Sequence, residues 1–153
     1  MDIFFTIGAR YLFILSPIIA VLYLSFEPRP LRKRIVAFVF IVFALIDIAW
    51  LIASQLYDNP RPFVAEHFVP LVLSDPTNGF PSGHTLFVSA FASIATFFDR
   101  RLAIALWVVT IIVAISRVYV GVHHPVDVIG SILISLSVTS AVYFVLRRLR
   151  FLS

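Results

Sequence analysis

Five apolar runs, separated by short polar breaks, dominate the chain. Most of them approach the roughly 20 residues that an α-helix needs to cross the hydrocarbon core of a bilayer. The pattern therefore predicts an all-α fold, a polytopic membrane bundle of about five transmembrane helices in one domain over residues 1–153. The predicted helices cover about residues 3–26, 35–57, 82–98, 102–120 and 125–146.

Two of these helices contain residues that are unusual inside a membrane. In the first, Pro17 should kink the helix or be absorbed by packing against neighbouring helices, and Arg10 can extend its charge to the membrane surface. In the second, Asp47 lies near the middle, where a carboxylate is costly unless it is protonated or paired with a neighbouring polar group. We expect Asp47 to be structural, and a functional role is the alternative. No basic stretch precedes the first helix and no small-residue cleavage site follows it, so we expect that helix to remain.

The basic residues mark one face of the predicted bundle. The loop at 27–34, the turn at 99–101 and the tail after Leu146 carry nine of the twelve Lys and Arg residues. Successive membrane crossings place these segments on the same side, which the positive-inside rule makes cytoplasmic. The opposite side then holds the N-terminus and the connections 58–81 and 116–126.

Composition supports a membrane protein and excludes several other classes. The chain is 61% hydrophobic and 13% charged, with a mean hydropathy of +1.03, which is outside the range of a soluble domain. It has no cysteine, so a disulfide framework and a thiolate site are excluded. The net charge of +4 could indicate nucleic-acid binding. The basic residues lie in short clusters between apolar runs, however, so we expect no nucleic-acid partner.

The connection between Phe63 and Phe80 is too short and too polar to span, yet it is more apolar than a solvated loop requires. It could be an interfacial segment or lid in contact with lipid, or a loop packed onto the bundle, and the pattern does not separate the two. Glu66 and His67 match no motif, and we expect both to lie at the surface or near lipid headgroups.

Three polar clusters fall on the face opposite to the basic loops. They are Arg61-Pro62, Pro81-Ser-Gly-His84, and the stretch Ser116-Arg-Val-Tyr-Val-Gly-Val-His-His-Pro-Val-Asp127. In the second cluster, Ser82 can cap a helix and Gly83 lets the backbone approach an anion closely. Free N–H groups at that helix N-terminus and two guanidiniums, Arg61 and Arg117, together suit a phosphate dianion.

The histidines in these clusters suggest catalysis. His123 and Asp127 are four residues apart, a spacing that stacks side chains on one helical face and allows the carboxylate to orient the imidazole. A second histidine, His84, permits a second role, so one ring could attack phosphorus while the other donates a proton. Four histidines also allow a metal site, but the clusters are richer in arginine than in carboxylate, and we expect no metal.

Together the three clusters resemble the signature of the type 2 phosphatidic acid phosphatase (PAP2) superfamily. That signature is Lys-x6-Arg-Pro, then Pro-Ser-Gly-His, then Ser-Arg-x5-His-x3-Asp. The second and third motifs are present in full, over a region from about Asn59 to Gly130. In the first motif Ser54 stands where the family has lysine, which puts one phosphate contact in doubt.

The resemblance implies a role for each motif residue. His123 would be the nucleophile that forms a phosphohistidine, and Asp127 would orient it. His84 would protonate the leaving group and later help to activate water. No metal or other cofactor would be required, and His124 receives no role beyond a loop or headgroup contact. The phosphoryl oxygens would be bound by Arg61, Ser82, Gly83 and Arg117.

Two phrases of the sequence indicate a substrate class. Asn59-Pro-Arg-Pro-Phe-Val64 and Phe80-Pro-Ser-Gly-His-Thr85 look most like the undecaprenyl diphosphate phosphatases of this superfamily, which recycle the cell-wall lipid carrier. The resemblance implies a protein of the bacterial inner membrane with its active site toward the periplasm or exterior. Phosphatidylglycerophosphate or lipid A phosphatase activity is the alternative. A non-catalytic protein that binds or transports a lipid headgroup is the alternative from another class, and the oligomeric state is open.

Overall fold

The structure, a computed structural model, describes residues 1–151 and is helical, with no strand in that range. The predicted all-α class is therefore confirmed. A 3₁₀ turn at Leu12–Ile14 separates the first two of seven α-helices. The helices are α1 (Asp2–Arg10), α2 (Leu15–Phe26), α3 (Arg29–Leu56), α4 (Pro62–Ala65), α5 (Gly83–Ala95), α6 (Arg100–Tyr119) and α7 (Pro125–Arg148).

Three of these helices, α3, α6 and α7, are long and apolar enough to cross a membrane, so the chain is an integral membrane protein. The first predicted helix is broken: α1 meets the rest of its segment at 46°, and the pair counts as a fourth span if it is taken as one. The helix α5 has 13 residues and is shorter than a full crossing. The predicted count of about five is thus approximate, although every predicted segment is helical.

The break in the first segment lies at Tyr11 and not at Pro17. Pro17 is the third residue of α2, in the first turn, where backbone N–H groups have no partner within the helix. A proline costs little there and need not bend the helix. Of the two outcomes expected for Pro17, the kink is therefore wrong, because the bend comes before α2 begins.

The short helix α5 forms the centre of the bundle. Leu86, Ala90 and Ile94 on α5 pack with Phe38 and other buried side chains of α3 and α7. Several buried small residues of α5 allow close helix approach, and Ser93 Oγ lies 3.3 Å from Ser135 Oγ on α7. Large apolar side chains on the outer faces of α3, α6 and α7 stay exposed, as expected for surfaces that contact lipid.

The connection between α3 and α5 folds over one end of the bundle. Val72 is buried in a cluster with Ala9 of α1 and two valines that follow α6. Gly121 has φ +79°, and the ring of Phe68 lies 2.6 Å from where its Cβ would stand. One side of the connection is thus packed on the bundle. Its other side remains apolar and open, since Val69 is 90% exposed.

Candidate active site

His123 lies between α6 and α7 with only 2% of its side chain exposed. Its Nε2 atom is 3.2 Å from Arg61 Nη1 and 3.3 Å from Arg117 Nη2. A guanidinium has no acceptor, so each of these contacts requires Nε2 to accept. In the neutral ring the hydrogen is therefore on Nδ1, and Nε2 offers a lone pair to the same place that both guanidiniums face.

Asp127 is completely buried in the first turn of α7 and faces the other side of that ring. Its Oδ2 atom is 3.4 Å from His123 Nδ1 and accepts the backbone N–H of His124 at 2.8 Å. Its Oδ1 atom accepts Asn59 Nδ2 at 2.7 Å. The carboxylate is thus held in place and can orient the imidazole.

The spacing of four residues predicted that His123 and Asp127 share one helical face, and this prediction is wrong. The helix α7 begins at Pro125, so His123 precedes it and does not share a helical face with Asp127. The contact forms because the chain before the helix folds back over its N-terminus, where the positive end of the helix dipole also favours the carboxylate.

Both arginines are fixed by backbone carbonyl groups. Arg61 donates from Nη1 to the carbonyl of Val122 at 3.1 Å and from Nε to the carbonyl of Thr77 at 3.2 Å. Arg117 is 7% exposed and donates from Nη1 to the carbonyl of Ala9 at 3.3 Å. Two converging guanidiniums are therefore available to bind phosphoryl oxygens.

Burial also shifts the pKa values of His123 and Arg61, which lie in the loops between helices. It lowers the pKa of His123, the two guanidiniums lower it further, and the Asp127 carboxylate opposes them without reversing the result. The ring of His123 is therefore neutral near pH 7. Burial likewise lowers the pKa of Arg61, and the carboxylates of Asp127 and Asp75 act in the opposite direction.

His84 occupies the second position of α5 and shares a cavity of about 360 Å³ with the residues above. Its ring packs edge-to-face with the ring of Phe13, with 4.8 Å between centroids. Arg61, Arg117 and His123 line the same cavity, so the three motifs meet at one place. The arrangement can hold an anion between two guanidiniums in a cavity that two histidines also line.

The two small residues before His84 differ in their access to this cavity. Gly83 lines it, and a Cβ built there would meet no protein atom within 4 Å. Ser82 is completely buried, and its hydroxyl lies 3.1 Å from Thr85 Oγ1. Ser82 is at the N-cap of α5 as predicted, but its side chain makes no capping bond. Ser82 is not among the residues that line the cavity.

Two asparagines that sequence reasoning left unassigned hold the connection in place. Asn78 donates from Nδ2 to the carbonyls of Ser54 and Tyr57 and accepts at Oδ1 from the backbone N–H of Asn59 and Phe80, each at 2.9 Å. Asn59 then reaches Asp127. The sequence did contain a signal for this role, because both asparagines lie next to a motif in a chain that has few polar residues.

The other polar residues considered from the sequence do not line the cavity. Ser54 Oγ donates to the carbonyl of Leu51 at 2.9 Å, so the family's lysine position supplies no cation. His124 Nε2 donates to the carbonyl of Pro60 at 3.2 Å, which is the predicted loop contact. His67 is exposed on the connection, and Asp47 lines a groove between α3 and α5. Within residues 1–151, no group of three or more His, Asp and Glu side chains could hold a metal.

Comparison with known proteins places this site in a family context. Residues 34–151 match the PAP2 superfamily. The undecaprenyl-diphosphatase BcrC of Bacillus subtilis (strain 168) is 34% identical over 83 residues, 54% of this chain and 43% of that protein. The undecaprenyl-diphosphatase of Sulfolobus acidocaldarius is 33% identical over 128 residues, 80% of this chain and 58% of that protein. The chain therefore spans between 43% and 58% of the length of these relatives.

A solved structure has the same fold. The crystal structure of Aquifex aeolicus LpxE is similar, with a TM-score of 0.67 and 22% identity, over 94% of this chain and 85% of that one. This likeness is one of fold, and it covers nearly the whole chain.

Proposed function

The chain belongs to the PAP2 superfamily, and we propose that it is a lipid phosphatase that converts undecaprenyl diphosphate to undecaprenyl phosphate. The observation that carries the proposal is the convergence of two guanidiniums on the Nε2 lone pair of His123. A terminal phosphate bound by both would have its phosphorus beside that lone pair.

In the first step, the Nε2 lone pair of His123 forms a bond to the terminal phosphorus. The bond from phosphorus to the bridging oxygen breaks, and its electron pair stays on that oxygen. The charge of the bound diphosphate favours the imidazolium form of His84, which gives its proton to the oxygen. The lipid monophosphate leaves. The phosphorylated ring then carries hydrogen on Nδ1, and Asp127 balances its positive charge.

In the second step, water attacks the phosphohistidine. The P–N bond breaks, its electrons return to Nε2, and His84 accepts the proton that the water loses. Inorganic phosphate is released and the starting site is restored. Arg61 and Arg117 neutralise the phosphoryl oxygens throughout, so the residues of this chain complete both steps without a metal.

A groove beside the cavity supports a lipid substrate. It has a volume of about 210 Å³, lies between α3 and α5, and shares Trp50 and Gly83 with the catalytic cavity. Phe43 and Phe87 supply much of its apolar wall. An apolar groove that opens into the catalytic cavity suits a lipid substrate.

We also propose that the site faces the periplasm or exterior, because it lies at the end of the bundle opposite the basic segments. The chain has no cysteine, so single cysteines can report sidedness. An impermeant thiol reagent on intact cells should label Val69→Cys, whose position is 90% exposed, and leave Lys33→Cys unlabelled. The reverse result would place the site in the cytoplasm.

A substrate panel tests the activity. Detergent-solubilised protein would be given undecaprenyl diphosphate, phosphatidylglycerophosphate, phosphatidic acid and lipid A, with His123→Ala as the background. We expect the highest kcat/KM on undecaprenyl diphosphate and little change when EDTA is added. A higher kcat/KM on another lipid would show that undecaprenyl diphosphate is not the preferred substrate. Binding without phosphate release would overturn the phosphatase and favour a headgroup-binding protein, and loss of activity in EDTA would indicate a metal.

A further inference from the structure

A second cavity adjoins the catalytic one at His84. It has a volume of about 150 Å³ and is lined by Arg10, Val72, Leu73, His84 and Arg117. We call it the annex. Leu73, His84 and Arg117 also line the catalytic cavity, so the two spaces meet at these residues. Arg10 brings to the annex a cation that the catalytic cavity does not include.

The end of α1 fixes Arg10 in this position. The carbonyl of Ala9 accepts Arg117 Nη1 at 3.3 Å, so the residue next to Arg10 is bonded directly to the site. Ala9 is completely buried, and a Cβ at Gly8 would clash with Ser116 of α6. α1 therefore packs closely on α6 up to its last turn. The Arg10 guanidinium lies 5.4 Å from the centre of the Tyr11 ring, and Arg10 is exposed.

We propose that the annex binds the phosphate that stays on the lipid, and that Arg10 is its cation. The inference rests on the proposed function, since His84 must protonate the oxygen between the two phosphates. One phosphate then lies on the His123 side of His84 and the other on the annex side. Negative charge grows on the annex phosphate as the bridging bond breaks, so a cation there stabilises the transition state.

Arg10 therefore determines specificity for a diphosphate over a monophosphate. A lipid monophosphate places its single phosphate between Arg61 and Arg117 and leaves the annex without an anion. If Arg10 served only to anchor α1 at the membrane surface, its loss would affect both substrates equally.

The test compares Arg10→Gln, Arg10→Lys and the wild type on a polyprenyl diphosphate and on the monophosphate of the same chain. We expect Arg10→Gln to lower kcat/KM about 10- to 100-fold on the diphosphate and less than about 3-fold on the monophosphate. Arg10→Lys should recover part of the loss. The control is Arg101→Gln, at the opposite end of α6 from Arg117. Equal losses on both substrates, or none, would overturn the inference.

A binding measurement separates this inference from the proposed catalysis. Inorganic pyrophosphate and inorganic phosphate would each be titrated against the wild type and Arg10→Gln by calorimetry. We expect the substitution to weaken pyrophosphate about tenfold or more and phosphate little. If the wild type hydrolyses neither lipid but this difference in binding is found, the proposed phosphatase activity is wrong and the phosphate site in the annex stands. If the wild type is active and the difference is absent, the activity stands and the phosphate site in the annex is wrong.

Discussion

His123 and His84 face the same cavity but are held in different ways. His123 is 2% exposed and has charged groups at both ring nitrogens, whereas His84 is partly exposed and packs against the ring of Phe13. The difference teaches that the two proposed roles need different surroundings. A nucleophile benefits from one fixed orientation, while a group that protonates a leaving oxygen and then takes a proton from water needs access to both.

The most severe test of this comparison is His123→Ala. Removal of the nucleophile should lower kcat by about 10⁴-fold or more on every substrate, whatever its leaving group. Acid-quench trapping with labelled substrate should find no phosphorylated protein. Label retained in His123→Ala and lost from His84→Ala would exchange the two roles.

His84→Ala should depend on the leaving group. On a lipid diphosphate we expect a loss of about 10²- to 10⁴-fold, because the departing oxygen receives no proton. On an aryl phosphate such as para-nitrophenyl phosphate, whose leaving group needs no proton, the loss should be under about tenfold. The ratio of the two rates checks the prediction, and an equal loss on both substrates contradicts it.

Substitutions at Asp127 test the fixed orientation of His123. Burial lowers the pKa of His123, so the acid limb that protonation of His123 causes in the kcat/KM profile of the wild type should lie below about pH 6.5. Asp127 opposes that lowering. Asp127→Asn should therefore move the acid limb to still lower pH while it reduces kcat about 10- to 1,000-fold.

Asn59→Ala removes one partner of the same carboxylate. It should reduce kcat by roughly tenfold through misorientation and shift the limb less than Asp127→Asn does, because the carboxylate remains. Activity and limb position are measured in the same pH series. If the acid limb of the pH profile moves to higher pH in Asp127→Asn, the role of Asp127 as the group that orients His123 and opposes the lowering of its pKa is contradicted.

The smallest effects should come from two glycines. A methyl group at Gly83 enters the cavity without touching protein, so Gly83→Ala should raise KM several-fold with an unchanged Tm. A methyl group at Gly79 would lie 3.0 Å from Asp127 Oδ2 and from the carbonyl of Asn59, so Gly79→Ala should destabilise the fold by about 1–3 kcal/mol. Paired kinetics and thermal melts separate the two cases. A lowered Tm in Gly83→Ala would show that this position is not open.

Much of the helical order was readable from sequence because apolar runs and membrane thickness constrain it strongly. The motif residues Arg61, His84, Arg117 and His123 also line one cavity, as expected from their predicted position on one face of the bundle. The bend at Tyr11 and the buried hydroxyl of Ser82 were not readable, because each depends on packing between distant segments. The role proposed for Arg10 was not readable for the same reason, since the position of Arg10 depends on the contact of Arg117 with Ala9.

Asn78 precedes Gly79, and an Asn-Gly pair is a site of slow deamidation. Deamidation of an Asn-Gly pair requires the glycine nitrogen to attack the asparagine side chain. Here the N–H of Gly79 is donated to the carbonyl of Asn59 at 2.8 Å, and the Asn78 carboxamide is engaged on both of its ends. The folded connection thus protects the pair, and opening it starts the reaction. Slow conversion of Asn78 to aspartate, followed by peptide mass spectrometry, would therefore record how often the end of the bundle opens in a stored sample.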